Sequence, residues 1–405
     1  MLLAKSIGCL AGAAVGDALG GAVEGHSAEE IRARYGGPVT GIVPPMRAPE
    51  DKPTAPYAKG HGRITDDTLV THALVRAYAR KRDHLDAYDM AGLLVPDLLE
   101  QLVWVPDLQR QTVALHRLAA GERHLITRLH FAHADPREAG TGNAVNCGAA
   151  MYIAPVGIVN AGDPVAAYRE AIELAGAHQH SFGREAAGVM AACVAAAVPP
   201  SATVDDVLTA ALAVARDGTR AAISAVLTAA NGYAVGSGLD MSTVTGLRAA
   251  MAPFDTVGEA YREPGLGARR ASRLHAIEEL PIALGMLAVS GGDVRDTILG
   301  SVNYGRDADS IASMAGAIAG ALHGIDGVPA SWVAEVSAES RLDLAAVGSS
   351  LALVASEVLA SDFARASARA QSVGSLLSAP APAPASAVAP APAPAPAPAP
   401  RGSGR

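Results

Sequence analysis

Gly8, Gly12, Gly16 and Gly20 fall at intervals of four near the start of the chain. On an α-helix that spacing sets four positions without side chains on one slowly drifting stripe. A second helix can approach such a stripe closely, so the segment is expected to form a tightly packed central helix. The competing use of a glycine run, a phosphate-binding loop, needs a preceding strand and a following lysine, and neither is present. The surrounding MLLAKSIGCLAGAAVGDALGG shares apolar content with a secretory leader. Lys5 is its only basic residue, however, Asp17 interrupts it, and no clear cleavage site follows.

The rest of the chain reads the same way. Alanine dominates, aromatic residues make up 4%, and half of the 405 residues are apolar, enough for a full core. Helical periodicity recurs at 68–80, 89–103, 164–175, 184–198, 204–216, 277–290 and 311–322, and a last helix is expected within 343–368. No sustained two-residue alternation marks a sheet. The stretch 186–204, broken by Pro199 and Pro200, is too weakly apolar for a membrane span and reads as a buried helix. The fold class is therefore all-α. From 379 to 400 the chain is almost only alanine and proline, which has nothing to bury and predicts an extended, solvated tail. The expected organisation is a catalytic domain at 1–368 and a disordered tail at 369–405.

The net charge of −8, with basic residues scattered, argues against nucleic acid as a ligand. Cys9, Cys147 and Cys193 are far apart and form no C-x-x-C pair, so neither a zinc cage nor a disulfide framework is expected. A reduced, cytoplasmic protein without a membrane partner is the reading that results.

Two helix starts carry more carboxylate than a cap requires. GRITDDTLV at 62–70 sets Thr65, Asp66, Asp67 and Thr68 before an apolar run. GRDADSIASMAG at 305–316 places Asp307, Asp309 and Ser310 before another. One cap needs one oxygen. If the two clusters faced each other, each like-charged pair about 4 Å apart would repel by roughly 4 kcal/mol at an effective dielectric near 20. A helix dipole returns only about 0.3–1 kcal/mol. Protons or cations would have to neutralise such a site. With oxygen donors and no His in either cluster, the cations favoured are Mg²⁺, Mn²⁺ or Ca²⁺.

Taken in order, several segments resemble the ADP-ribosylglycohydrolase family, which includes the dinitrogenase-reductase-activating glycohydrolase and the ADP-ribosylhydrolases. They are GCLAGAAVGDALGGAVEG at 8–25, TDDT at 65–68, NCGAAMYIAPVGI at 146–158 and AHQHSFGREAAG at 177–188. The long segment at 279–324, ending in GRDADSIASMAGAIAGALHG, and VPASW at 328–332 complete the set. The resemblance implies a compact, orthogonal all-α domain with two metal ions, Mg²⁺ or Mn²⁺, in a central cleft. Carried over by position, the implied ligands are Thr65, Asp66, Asp67, Asp307, Asp309 and Ser310. Glu24, with Asp67 and Asp309, is implied in catalysis as an acid–base or metal-linked carboxylate. His178, His180, Tyr152 and Arg306 are the expected substrate contacts. Arg306 could also simply pair with a neighbouring acid, and Asp17 is expected to be structural.

Three positions depart from the family pattern: Ser310 where threonine is common, Tyr152 where arginine is common, and Cys147 where glycine is common. The activity implied is metal-dependent hydrolysis of the glycosidic bond joining ADP-ribose to an N- or O-linked acceptor, performed by a monomer on an ADP-ribosylated protein. Tyr152 and Cys147 motivate an alternative, N-glycosidic cleavage of a small nucleoside- or nucleotide-like metabolite. A non-catalytic ADP-ribose-binding protein is a third reading, against which the retention of four aspartates speaks.

Overall fold

The computed structural model describes residues 1–46, 59–254 and 276–378, together with Ala393 and Ala395. The protein is mostly helical. In chain order the helices are α1 (Leu2–Gly20), α2 (Ala28–Tyr35), α3 (Asp66–Lys81), α4 (Ala87–Asp89), α5 (Val95–Glu100), α6 (Ala120–Ile126), α7 (Ala154–Val159), α8 (Pro164–Ala175) and α9 (Ser181–Ala197). They continue as α10 (Val204–Val214), α11 (Asp217–Ala230), α12 (Met241–Met251), α13 (Ala276–Val289), α14 (Val294–Tyr304), α15 (Ala308–His323), α16 (Ala330–Ser340) and α17 (Leu344–Ser378). Met1–Ala360 form one compact unit and Ser361–Arg405 a second, of which the described part is mainly the end of α17.

The glycine stripe does what its spacing predicts. α1 lies against α15 with the two chains running in opposite directions. Gly8 faces Gly320 and Gly324, Gly12 faces Gly316, Gly16 faces Ala312 and Gly20 faces Ala308. A Cβ added to Gly16 would sit 2.0 Å from the Ala312 carbonyl oxygen, and one on Gly20 would sit 2.3 Å from that of Ala308. The partner helix carries a matching stripe, Ala308, Ala312, Gly316, Gly320 and Gly324, also at intervals of four. Backbone therefore packs on backbone along both helices, and dispersion contacts replace large side chains. The antiparallel pairing brings the end of α1, with Asp17, to the start of α15, with Asp307 and Asp309.

α1 is thus a core helix: Cys9, Ala11, Ala14, Val15 and Asp17 are fully buried. It and α17 are the two described helices long and apolar enough to cross a membrane by composition, but 78% of the α1 window is buried inside the fold.

Two local expectations change. The window at 89–103 is not one helix. A π-helical turn at Met90–Leu94 follows α4, α5 ends at Glu100, and Leu102–Val105 is a strand (β1). Gln101 is extended, and the following Leu-Val-Trp-Val run pairs antiparallel with β2 (Arg110–Val113). β-branched and aromatic side chains suit that pleated surface better than a helix. The last helix continues past 368 to Ser378, since 369–378 hold good helix formers and neither Pro nor a stop signal beyond Gly374. The extended tail expected at 379–400 lies outside the described residues apart from Ala393 and Ala395.

Candidate metal centre

The amides at the start of α3 are satisfied from another helix. Asp17 Oδ1 and Oδ2 accept from the Thr65 amide at 3.0 and 2.9 Å, and Oδ2 accepts from the Thr68 amide at 3.1 Å and from the Thr68 hydroxyl. Asp17 is fully buried, and burial raises its pKa to about 6 against the lowering effect of the Thr68 and Thr65 bonds. Its structural role follows: it fixes α3 to α1. Thr65 caps α3, and its hydroxyl also lies 3.3 Å from Asp67 Oδ1.

The two carboxylate clusters meet. Oxygens of Asp17, Asp67 and Asp309 lie within 4.8 Å of one another, and so do those of Glu24, Asp307 and Asp309. Burial, then the charges of Asp17, Asp309, Asp66 and Asp307, push the Asp67 carboxyl well above the usual range. Burial, Asp309, Glu279 and Glu24 do the same to Asp307. Asp309 is raised by burial and Glu24, with Lys59 opposing. Asp67 Oδ2 is buried and has no hydrogen-bond partner.

A backbone clasp holds Glu24 beside this group. The Gly25 amide donates to the Arg306 carbonyl and the Arg306 amide to the His26 carbonyl, both at 2.7 Å. Gly305 makes the turn at φ 78°, where a Cβ would lie 2.2 Å from the His26 carbonyl oxygen. Arg306 itself is left-handed at φ 59°, strain of the kind concentrated at functional sites.

Lys59 enters the cluster from a segment the motifs do not include. Its ammonium pairs with Glu24 Oε2 and lies 2.8 Å from Asp309 Oδ2. A side-chain cation thus stands among the carboxylates, as charge balance demands. The donor set fits a hard divalent ion: clustered carboxylates, the Thr65 hydroxyl beside Asp67, and an Asp67 oxygen with no hydrogen-bond partner.

The remaining expected residues are placed differently. Asp66 turns from the other three aspartates toward α6: its Oδ2 accepts from the Ala119 amide at 3.2 Å, and its carboxyl is bonded to Glu122. Glu122 is 2% exposed and is raised well above the usual carboxylate range by burial and by Asp66. Behind Glu122, His178 Nε2 stands 3.6 Å from its Oε1. Tyr152 stacks on the His178 ring, and its hydroxyl is 3.2 Å from Nδ1.

Tyr152 and His178, expected as substrate contacts, are both fully buried. Their polar atoms face each other and Glu122 instead of open surface. Burial lowers the His178 pKa to about 4, so the ring is neutral. His180, at the start of α9, sets Nε2 3.2 Å from the Asn143 carbonyl. Arg306 is 6% exposed and its Nε bonds Glu278 at 2.9 Å, so it pairs with an acid instead of awaiting a phosphate. Cys147 donates to Asp307 Oδ2 at 3.1 Å, and Ser310 Oγ lies 3.9 Å from Met151 Sδ.

This arrangement has a counterpart among known proteins. Residues 1–368 match the ADP-ribosylglycohydrolase family. The chain belongs to that family. It is similar to the uncharacterized protein YegU of Escherichia coli K12, 24% identical over 353 residues, covering 86% of this chain and 96% of YegU. Shorter matches reach human ADP-ribosylhydrolase ARH3, 46% identical over 50 residues, and Pseudomonas putida ADP-ribosylarginine hydrolase Tri1, 44% over 48. They cover 12% of this chain in each case and 14% and 13% of those proteins. Among solved structures, an ADP-ribosylglycohydrolase-related protein complex aligns with TM-score 0.54 at 20% identity, over 87% of this chain and 97% of that one. At that identity the likeness shows the ADP-ribosylglycohydrolase-like fold.

Lys59, Glu122 and Glu279 were not among the residues expected at this ADP-ribosylglycohydrolase site. Lys59 and Glu122 stand in ordinary sequence contexts, and only the tertiary fold brings them to the carboxylates. The signal for Glu279 was available: it stands with Glu278 in the first turn of the otherwise apolar α13, where a buried carboxylate needs a partner.

Proposed function

We propose that this chain is a metal-dependent hydrolase that cleaves the glycosidic bond between ADP-ribose and an N- or O-linked acceptor. The observation that supports it most is the meeting of Asp67 with Asp309, and of Glu24 with Asp307 and Asp309, in one buried group. The family membership and the activities that name the ARH3 and Tri1 relatives point the same way. A pure binding protein has no need of so costly a cluster.

Glycosidic cleavage passes through an oxocarbenium-like state and needs a carboxylate to handle a proton next to the anomeric carbon. Glu24, 11% exposed, is with Asp307 one of the two partly exposed carboxylates of the group, and we assign it the contact with bound substrate. Lys59 holds its charge in place. Asp17 fixes the start of α3, and Asp67 with it. Glu122 sits against Asp66 at the edge of the group, and His178 and Tyr152 hold Glu122 from behind. Mg²⁺ or Mn²⁺, when bound by Asp67, Asp307, Asp309 and the adjoining hydroxyls, supplies positive charge that orients ribose hydroxyls and acidifies a water.

The alternative of a small nucleoside-like substrate draws on the Tyr152 and Cys147 departures, of which Tyr152 is buried against His178. The acceptor class, action as a monomer and a cytoplasmic setting remain part of the proposal. The test is turnover by the full chain on ADP-ribosyl-arginine, ADP-ribosyl-serine and free nucleotides, with Mg²⁺ and with chelator. Release of ADP-ribose that stops on chelation is the expected result. Metal-bound protein that turns over none of these substrates would sink the proposal.

A further inference from the structure

We propose that the end of α17 is a docking surface for a second copy of this chain, the two helices lying side by side and running in opposite directions. The inference is independent of the reaction proposed above. The carboxylates of the metal centre all precede Ala360 in the chain, so each copy keeps a complete centre and acts alone on substrate.

Within the second compact unit, α17 carries Phe363, Ala366, Ala370, Val373 and Leu377, spaced alternately by three and four residues. That spacing, a repeat of about 3.5 residues, sets all five on one face as the seam of a coiled coil. The opposite face carries Ser361, Arg365, Ser372 and Ser375. The seam is uncovered: Phe363 is 74% exposed and Leu377 81%, and Ala366, Ala370 and Val373 are exposed as well. From Ser361 to Ser378 no residue of the helix is buried. A stretch of roughly five turns with no packed face is marginal in water, so a covering partner is what steadies it.

Size and charge along this stretch fit a copy of itself. Phe363 and Ala366 are successive seam positions. In a pair of opposite-running copies, the Phe363 of each packs on the Ala366 of the other, large against small. Asp362 and Arg369 stand one heptad apart on the same flank of the seam. In that same register the carboxylate of each copy faces the guanidinium of the other, so the two-fold relation forms two ion pairs. Copies running the same way would instead crowd Phe363 on Phe363, with Asp362 opposite Ser367 and Arg369 opposite Gly374. Charge and size therefore select the same arrangement. Asp362 also pairs with Arg365 of its own helix, an exposed contact of small worth, and a carboxylate accepts from both.

The experiment is sedimentation of the full chain at low salt across a micromolar dilution series. The parent is compared with Phe363→Glu, Asp362→Arg, Arg369→Asp and the double exchange Asp362→Arg with Arg369→Asp. None of these side chains is buried, so the variants keep the fold, which circular dichroism verifies. The expected result is a dimer that dissociates on dilution and is lost in Phe363→Glu. Each single charge reversal should weaken it on the order of tenfold, because it sets like charges opposite one another. The double exchange should restore the parent's affinity. A parent that stays monomeric at every concentration overturns the proposal, and so does a dimer that Phe363→Glu leaves intact. Single reversals without effect, or a double exchange that recovers nothing, overturn the opposite-running pair. A monomer that sediments with vesicles of phosphatidylcholine and phosphatidylglycerol gives the stripe to a lipid surface and overturns the second copy as its occupant.

Discussion

Gly12 and Gly316 meet backbone to backbone: a Cβ on Gly12 would lie 2.2 Å from the Gly316 carbonyl oxygen, and one on Gly316 would lie 2.3 Å from that of Gly12. Gly316→Ala sets two effects against each other. Alanine gains about 1 kcal/mol of helix propensity over glycine. Overpacking of a rigid core costs about 1–3 kcal/mol, and here the obstacle is backbone that no rotamer change can move. With the cost at the upper end of that range, the expected net result is destabilisation of about 2 kcal/mol in denaturant unfolding. Divalent-ion affinity should fall with it, since the same helix pair aligns Asp17 with Asp309. A variant as stable as the parent would mean that α1 and α15 slide apart freely.

Asp67→Asn should stabilise the metal-free protein. Asp67 neighbours carboxylates and has an oxygen without a partner, so the amide removes repulsion while keeping the shape. The expected gain is on the order of 1–3 kcal/mol at neutral pH. The rise in melting temperature that Mg²⁺ gives the parent should vanish, along with turnover. Thermal melts of both proteins with chelator and with millimolar Mg²⁺ provide the check. The same change at Asp309 would also cost the Lys59 contact and so give a smaller gain.

Metal binding should release protons. Asp17 sits near pKa 6, and Asp67 and Asp307 lie well above their ordinary values. Without metal the group therefore holds protons that a cation must displace, and affinity should rise as pH climbs through about 6. Calorimetric titrations in two buffers of different ionisation heat would reveal the release. Affinity that stays flat between pH 5 and 8 would contradict the crowding of carboxylates described above.

His72, on α3, gives a separate acid sensitivity. It is buried, its Nε2 has no partner, and burial, then Arg76, lower its pKa to about 3. The folded pKa lies below the unfolded one of about 6.5, so the unfolded state takes up the proton first. Stability from the neutral ring is thus complete above pH 6.5 and is lost as pH falls toward 3. Compared with His72→Gln, the parent should lose about 1.4 kcal/mol per pH unit in that window. Parallel urea unfolding at pH 7, 6 and 5 measures it, and equal slopes would rule the ring out.

What the sequence made legible was what depends on spacing along one helix. The four-residue interval from Gly8 to Gly20 predicted the close packing of α1, and the crowded Thr65–Asp67 and Asp307–Ser310 starts pointed to a shared site. Residues whose partners lie far away in the chain were harder to see. Lys59 reaches Asp309 across 250 positions, and nothing local in KGHGR marks it. Tyr152 and His178 are expected as substrate contacts because their motifs resemble cleft segments of the family. Their pairing through Nδ1 is visible only once α9 has packed. The strand at Leu102–Val105 was missed because Val103 also satisfies a helical period, and only the partner strand decides between the two.

Lys59 also changes the arithmetic of ion uptake. With an ammonium already between Glu24 and Asp309, loading a divalent ion there is a substitution of one cation for another. The local charge rises by one unit instead of two when the lysine leaves, and the measured affinity is the difference between two competing attractions. A chain built in this way folds around its own counter-ion and can mature in a medium poor in free metal. It exchanges the internal charge for an external one only when the ion concentration is high enough to win.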